Sequence, residues 1–194
     1  MMTTPATTAQ DGPLRTFLAI PPDAAARAYL MHHHQRLRAA TGSDHVRWVQ
    51  PEQWHLTVRF LGDLRPAQIE ALIAALNQQG VPSTLSLTLT PPQVFPNRRQ
   101  ARVIACRVPT TAELQDLVRR TDHCLQAIGF PPETRPWRGH ITLGRLRNPT
   151  TVPSHLASPR QPIPWQAQAL VLYHSTLTPQ GPQYRVMAAW SFRG

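Results

Sequence analysis

Hydrophobic positions along the chain recur with two different periods. Leucine alternates with serine or threonine from Thr84 to Thr90, the period of two that a half-buried strand shows. After Pro66 the apolar positions instead follow an i, i+3, i+4, i+7 spacing that ends at Gly80, as in an amphipathic helix. The same reasoning predicts strands at Leu14–Ile20, Val46–Val49, Ala101–Val108, Gln166–Leu177 and Tyr184–Phe192, helices at Ala24–Ala40 and after Pro109, and loops at Val94–Arg99 and residues 148–164.

The residues that begin and end these helices follow known preferences. Asp23 is placed to cap the first helix, which we expect to end at Gly42. Thr110 with Glu113 three residues later is the pattern of a capping box, and Gly129 ends the helix that follows.

Two tetrads of the pattern His-x-Thr-apolar begin at His55 and His140. Side chains alternate between the two faces of a strand, so each histidine shares a face with the threonine two residues later, Thr57 or Thr142. Histidine has an ordinary pKa of about 6.5, so near neutral pH one copy is able to donate a proton while the other accepts one. The tetrads therefore predict general acid and base catalysis at one cleft.

The tetrads occupy equivalent places in an internal repeat. Strand, proline, helix, glycine and tetrad occur twice in the same order. A single His-x-Thr is a weak pattern that also fits a histidine packed in a core, but two at equivalent positions favour a shared site. We therefore predict an α+β fold, bilobal, with duplicated β-α-β lobes related by a pseudo-twofold axis and two antiparallel-type sheets around a central cleft. The repeat comprises Leu14–Ile20, Pro21, Gly42 and His55, then Ala101–Val108, Pro109, Gly129 and His140.

Length and composition predict one domain. The chain has 194 residues, of which 41% are hydrophobic, enough for one sizeable core. Residues 1–13 are rich in threonine and alanine and are expected to form a disordered tail before a single domain at 14–194. No tract of about 18 apolar residues or secretion signal is present in the sequence, so we expect no membrane association and a cytoplasmic protein.

The charge is strongly basic. The formal net charge is +10, and every basic residue other than histidine is arginine. Guanidinium groups bind phosphate with paired donors, which suggests a polyanionic partner such as RNA. Genome composition is an equally good explanation for the absence of lysine, although it does not explain the small number of acidic residues.

The histidine run and the two cysteines do not indicate a metal site. His32, His33 and His34 are adjacent on a predicted helix and point about 100° apart, so they cannot bind one ion together. We expect solvated or partly packed imidazoles there. Cys106 and Cys124 lie in apolar surroundings, which favours buried thiols over a disulfide or a metal pair.

The chain closely resembles the 2H phosphoesterases, and among them the RNA 2′,3′-cyclic phosphodiesterases once described as 2′-5′ RNA ligases. The resemblance runs from about Arg15 to Phe192 and includes short sequences around both tetrads. These are Phe17-Leu18-Ala19-Ile20, Arg47-Trp48-Val49, Phe60-Leu61-Gly62, Phe95-Pro96, Gly129-Phe130-Pro131 and Leu170-Val171-Leu172-Tyr173.

This resemblance implies a mechanism without a metal or other cofactor. His55 would donate a proton to the leaving ribose oxygen and His140 would accept one from water. Thr57 and Thr142 would donate hydrogen bonds to the phosphate oxygens. Hydrolysis of the cyclic phosphate would give a 2′-phosphomonoester, and the reverse course with a second RNA fragment would give a 2′-5′ linkage.

Arginines near the tetrads are further candidates for phosphate binding. By strand parity Arg59 shares the face of His55, and Arg138 shares the face of His140. Arg145 matches the arginine that often closes the second family motif, but it falls on the opposite face unless Gly144 bends the strand. A solvated surface position is the alternative for all three.

Three other positions follow from the resemblance. Phe95 and Tyr184 are candidates for contact with a terminal nucleotide, although a loop phenylalanine more often packs into the core. Gly139 departs from the family, in which a proline commonly precedes the second histidine. This glycine removes no catalytic group but changes the backbone next to His140.

Two other functions are compatible with the same residues. One is a non-catalytic module that binds RNA ends in a basic cleft. The other is the same chemistry on ADP-ribose 1″,2″-cyclic phosphate or 2′-5′ oligoadenylate. The partner we expect is RNA with 2′,3′-cyclic phosphate ends or a small cyclic nucleotide, and we expect the protein to be a monomer.

Overall fold

The chain forms ten strands and three α-helices within the residues described. The computed structural model describes residues 12–41, 45–150, 161–179 and 181–192. The strands are β1 (Leu14–Ile20), β2 (Val46–Trp48), β3 (Leu56–Leu64), β4 (Ser86–Leu89), β5 (Pro92–Phe95), β6 (Ala101–Arg107), β7 (His140–Thr150), β8 (Ile163–Gln166), β9 (Ala169–Thr178) and β10 (Gly181–Ser191), and the helices are α1 (Ala24–Thr41), α2 (Pro66–Gln79) and α3 (Ala112–Ala127).

Two four-stranded sheets form the centre of the fold. Their strand orders are β10-β9-β1-β3 and β2-β7-β6-β5, and every pairing is antiparallel. A third sheet contains only β4 and β8. The predicted α+β fold with antiparallel sheets is therefore confirmed, with one small sheet more than the sequence indicated.

The pairing follows the internal repeat. In the first repeat β1 pairs with β3, which carries the first tetrad, and in the second repeat β6 pairs with β7, which carries the second. One cluster of buried apolar side chains includes residues of both four-stranded sheets and all three helices. The two tetrad strands also contact each other. The repeat thus brings the two histidine motifs together.

The helices begin close to the predicted positions. Asp23 caps α1 by accepting a hydrogen bond from the Ala26 backbone N–H at 2.8 Å, and Pro66 occupies the first turn of α2. The capping residue of α3 is Thr111, which accepts from the Leu114 N–H at 3.2 Å, so the prediction of Thr110 was wrong by one residue. The predicted end of α1 at Gly42 lies outside the described residues.

Two predicted loops contain strands. Residues Val94 and Phe95 end β5, where they pair with Ile104 and Val103 of β6. Because β5 is at the edge of its sheet, Pro92 is tolerated there without loss of an inner hydrogen bond. The predicted loop at 148–164 is also only partly correct, since β7 extends into it, β8 ends it, and 151–160 lie outside the described residues.

The histidine run of α1 is mostly buried rather than solvated. His33 and His34 are buried, and the His34 ring contacts Trp48 and Trp54 at centroid distances of 5.0 and 5.4 Å. His32 is the exposed member. Among the described residues, no group of three or more histidine, cysteine or carboxylate side chains is placed to hold a metal ion.

Two further observations concern the state of the cysteines and the hydrophobicity of the helices. Cys106 and Cys124 are both free thiols in buried positions, as predicted. None of the described helices is both long and apolar enough to cross a bilayer.

Candidate active site

A β-bulge follows the threonine of each tetrad. In the pairing of β1 with β3, Ala19 is opposite Thr57 and Leu18 is opposite Arg59, so Val58 is an extra residue. In the pairing of β6 with β7, Ala105 is opposite Thr142 and Ile104 is opposite Gly144, so Leu143 is the extra residue. Both extra side chains are buried. The two bulges occupy equivalent positions in the repeat.

Each bulge reverses the alternation of side chains beyond it. Arg145 therefore lines the same cavity as His140 and Thr142, and its equivalent Phe60 lines it with His55. The parity of β7 does change before Arg145, but the extra residue is Leu143 and not Gly144, the residue that the prediction named.

The same reversal turns Arg59 away from the cavity, contrary to the parity prediction. Its guanidinium forms ion pairs with Glu133 at 2.8 Å and Asp122 at 3.4 Å, and it donates to the Pro131 carbonyl at 3.2 Å. Arg59 therefore links β3 to α3 and to the loop that precedes β7.

Each imidazole is held by a hydrogen bond to the backbone carbonyl two residues earlier in the chain. His55 Nδ1 lies 2.7 Å from the carbonyl oxygen of Gln53, and His140 Nδ1 lies 2.9 Å from that of Arg138. A carbonyl only accepts, so Nδ1 carries the hydrogen in both rings. Nε2 is then the ring nitrogen left for proton transfer in each case.

The environments of the two histidines differ. The His55 ring is half-buried between Phe17 and Tyr184, at centroid distances of 4.8 and 5.4 Å, whereas His140 is exposed. Burial lowers the pKa of His55; the Gln53 hydrogen bond partly opposes this, and repulsion from His140 adds to the lowering.

The cavity that joins the tetrads is positively charged. Its volume is about 590 Å³, and His55, Thr57, His140 and Thr142 all line it. In the described part of the chain, no aspartate or glutamate is among its lining residues. The cationic side chains that line it are Arg15, Arg47 and Arg145. Such a cavity favours an anionic ligand.

The remaining predicted site residues divide into two groups. Tyr184 lines the cavity and contacts His55. Arg138 and Phe95 do not line it: Arg138 is exposed and offers only its carbonyl to His140, while Phe95 is half-buried at the end of β5. Sequence reasoning did not select the cavity residues Arg15, Arg47, Phe17 and Phe60, although three of them lie in segments that resemble the family.

Trp137 connects the two tetrads through the backbone. Its indole N–H lies 3.1 Å from the Val58 carbonyl and 3.3 Å from the Thr57 carbonyl, at the first bulge. A Cβ placed on Gly139 would be 2.6 Å from the Trp137 ring and 2.7 Å from the Val108 carbonyl oxygen. Gly139 is therefore needed for the close approach of this ring to the backbone that leads into His140.

We expect an NMR titration of the free protein to place the pKa of His55 below 6.5. In His140→Gln the pKa of His55 should rise, because the repulsion from the second imidazole is removed while the effect of burial remains. His123→Gln, at an exposed position on α3, is the matched control and should leave it unchanged. A His55 pKa at or above 6.5, or one insensitive to His140→Gln, would contradict this description.

The duplicated antiparallel fold, with one His-x-Thr motif from each repeat in a common cavity, defines the 2H phosphoesterase class. The family model described as LigT like Phosphoesterase matches residues 20–105 and 107–184. The chain belongs to this family. The resemblance stated from the motifs is therefore confirmed.

Relatives cover nearly the whole chain. A Methanothermobacter thermautotrophicus protein named RNA 2′,3′-cyclic phosphodiesterase is 30% identical over 182 residues, which are 90% of this chain and 96% of that protein. A Thermus thermophilus protein of the same name is 27% identical over 194 residues, covering 93% and 91%.

Solved structures give the same fold. A crystal structure of a Thermus thermophilus protein superposes with a TM-score of 0.74 at 25% identity, covering 93% of this chain and 99% of that one. Escherichia coli LigT in complex with 3′-AMP superposes with a TM-score of 0.71 at 22% identity over 94% and 99%, which supports the fold assignment.

Proposed function

We propose that this protein hydrolyses RNA 2′,3′-cyclic phosphate ends to 2′-phosphomonoesters by acid and base catalysis with two histidines and no metal. The observation that carries the proposal is the repeated arrangement of His55 and His140. Each has Nδ1 fixed by a backbone carbonyl and both line one cavity that contains arginines and, within the described residues, no carboxylate. The names of the relatives agree with this substrate.

The reaction needs one proton to be removed from the attacking water and one to be delivered to the leaving oxygen, O3′. His140 Nε2 takes a proton from water as the water oxygen bonds to phosphorus. The bond from phosphorus to O3′ breaks, and His55 Nε2 gives its proton to O3′. The products are a 2′-phosphate and a free 3′-hydroxyl. This route supplies both proton transfers from protein side chains, so it requires no metal-bound water.

Neighbouring side chains stabilise the charge on phosphate. Thr57 and Thr142 line the cavity next to the histidines and would donate hydroxyl hydrogen bonds to the non-bridging oxygens. The lowered pKa of His55 makes its protonated form a stronger acid but a rarer one in the free protein. An anionic phosphate bound against the ring favours the imidazolium and offsets this.

Other acceptors and substrates fit the same site. A 5′-hydroxyl of a second RNA fragment in place of water would give a 2′-5′ linkage, but water at its high concentration favours hydrolysis. ADP-ribose 1″,2″-cyclic phosphate presents a similar cyclic ester, and 2′-5′ oligoadenylate presents a 2′-linked diester. A module that only binds RNA ends remains the alternative from a different class.

We expect the purified protein to convert an RNA oligonucleotide with a 2′,3′-cyclic phosphate end to the 2′-phosphate, with unchanged rate in EDTA. Phosphorus NMR distinguishes the 2′-phosphate from the 3′-phosphate, and H₂¹⁸O should place one heavy oxygen in the product. The two alternative substrates are assayed in parallel. Equal binding of cyclic-phosphate and hydroxyl ends without turnover would instead identify a binding module, and loss of rate in EDTA would contradict the metal-free mechanism.

A further inference from the structure

Arg47 and Arg145 form a pair of like charges inside the cavity. They are direct partners in the antiparallel pairing of β2 with β7, so their side chains leave the sheet on the same face, and both line the cavity. Directly opposed like charges on neighbouring strands are destabilising unless another group compensates them. The pair thus lies where a bound anion would relieve repulsion.

No acidic side chain compensates this pair in the described part of the chain. The ion pairs found there involve Arg59, Arg119 and Arg120 and leave both cavity arginines without a carboxylate partner. Arg15 of β1 lines the same cavity and adds a third positive charge. Arg145 and Arg15 line the cavity together with Tyr184.

The arginine pair is displaced from the catalytic residues along β7. Arg145 is opposite Val103 and Thr142 is opposite Ala105, which are only two residues apart on β6 because Leu143 is the bulge residue. At about 3.3 Å per residue, the Cα atoms of Arg145 and Thr142 are therefore about 7 Å apart along the strand. His140 lies two residues before Thr142 and is therefore still further from Arg145 along β7. The cavity, at about 590 Å³, is large enough for a ligand with more than one charged group.

We propose that Arg47 and Arg145 bind a second phosphate, the one attached to O5′ of the nucleotide that carries the cyclic phosphate. The ligand class is then an oligonucleotide end, or a mononucleotide with an added 5′-phosphate, rather than a nucleoside cyclic phosphate alone. Two guanidinium groups offer paired donors that match phosphate oxygens. This inference rests on the proposed function, because the first phosphate is the one between the histidines.

The test compares a nucleoside 2′,3′-cyclic phosphate with the same compound carrying a 5′-phosphate. For the wild-type protein the second compound should have a kcat/KM about tenfold to a hundredfold higher. In Arg47→Gln this ratio should fall toward one. Arg102→Gln, an exposed arginine on β6 that does not line the cavity, is the matched control and should keep the wild-type ratio.

The possible results separate the two proposals. A ratio near one in the wild-type protein, or a wild-type ratio in Arg47→Gln, would overturn the second phosphate site while leaving the proposed hydrolysis intact. If the wild-type protein turns over neither compound, the proposed function fails, and dissociation constants for the same two compounds take the place of kcat/KM. Those constants must then show the same preference for the 5′-phosphate and its loss in Arg47→Gln, or the site is also rejected.

Discussion

Replacing either histidine with asparagine is expected to lower kcat/KM for cyclic phosphate hydrolysis by about 10²- to 10⁴-fold, the usual contribution of a general acid or base. Asparagine keeps an N–H near the position of Nδ1, so the hydrogen bond to the Gln53 or Arg138 carbonyl is able to persist. The missing group is Nε2, which both of the proposed proton transfers need. Steady-state rates with a defined RNA end measure the effect.

The control for this prediction is a histidine outside the cavity. His123 is exposed on α3, and His123→Asn should retain the wild-type kcat/KM. Thermal unfolding of His55→Asn and His140→Asn should remain cooperative, which separates loss of chemistry from loss of fold. Wild-type turnover by either catalytic variant would eliminate the two-histidine mechanism.

The same two variants distinguish the proton donor from the proton acceptor. A 4-nitrophenyl leaving group departs without protonation, so an activated diester that the wild-type protein hydrolyses should suffer less from loss of the donor. His55→Asn is expected to recover most of its activity on this ester, whereas His140→Asn is not. The opposite pattern would reverse the assignment of roles that the family resemblance implies.

Sequence periodicity correctly predicted that each histidine shares a face with its threonine, because these residues precede the bulges. Up to Thr57 and Thr142 each strand keeps its period of two, so parity places each histidine with its threonine. Valine and leucine are ordinary strand residues, so the side chains of Val58 and Leu143 do not indicate a bulge. A bulge depends on how a strand pairs with its neighbour, here β1 or β6. The alternation of residues along one strand therefore does not reveal it.

The bulges explain both why the prediction for Arg59 was wrong and why Arg145 lines the cavity. The bulges at Val58 and Leu143 move the side chains that follow them directly to the other face. The residue that lines the cavity is therefore the fifth after the histidine, Phe60 or Arg145, rather than the fourth. Long-range contacts also explain what was missed elsewhere. Arg47 becomes a cavity residue only because β2 pairs with β7, and Phe95 belongs to a strand only because β6 lies beside it.

The internal repeat was the most informative feature of the sequence. It predicted that the two tetrads would face one cleft, and it did so without knowledge of either sheet. Residues 148–164 were predicted as a loop because they are rich in proline, and β8 begins within them. Its partner is β4, a segment about 80 residues earlier, as the hydrogen bond from Ser86 to Gln166 illustrates.

Gly139→Ala is expected to destabilise the protein by about 1–3 kcal/mol, the usual cost of overpacking, and to reduce kcat/KM by about tenfold or more. The added Cβ has no space between the Trp137 ring and the Val108 carbonyl oxygen. Relief requires movement of the backbone next to His140, or of the indole that bonds the first bulge. Thermal unfolding and steady-state kinetics measure the two effects, and Gly12→Ala is the control, because a Cβ there contacts nothing within 4 Å.

A double-mutant cycle with Trp137→Phe tests the cause. Phenylalanine lacks the outer ring atom that lies 2.6 Å from the added Cβ, so Gly139→Ala should cost less stability in the Trp137→Phe background than in the wild-type protein. The Val108 contact remains, so relief should be partial. Simple additivity of the two changes would show that the ring is not the obstacle. Gly139→Pro, which restores the family's usual residue, introduces a Cβ at the same place and should therefore impair this chain as well.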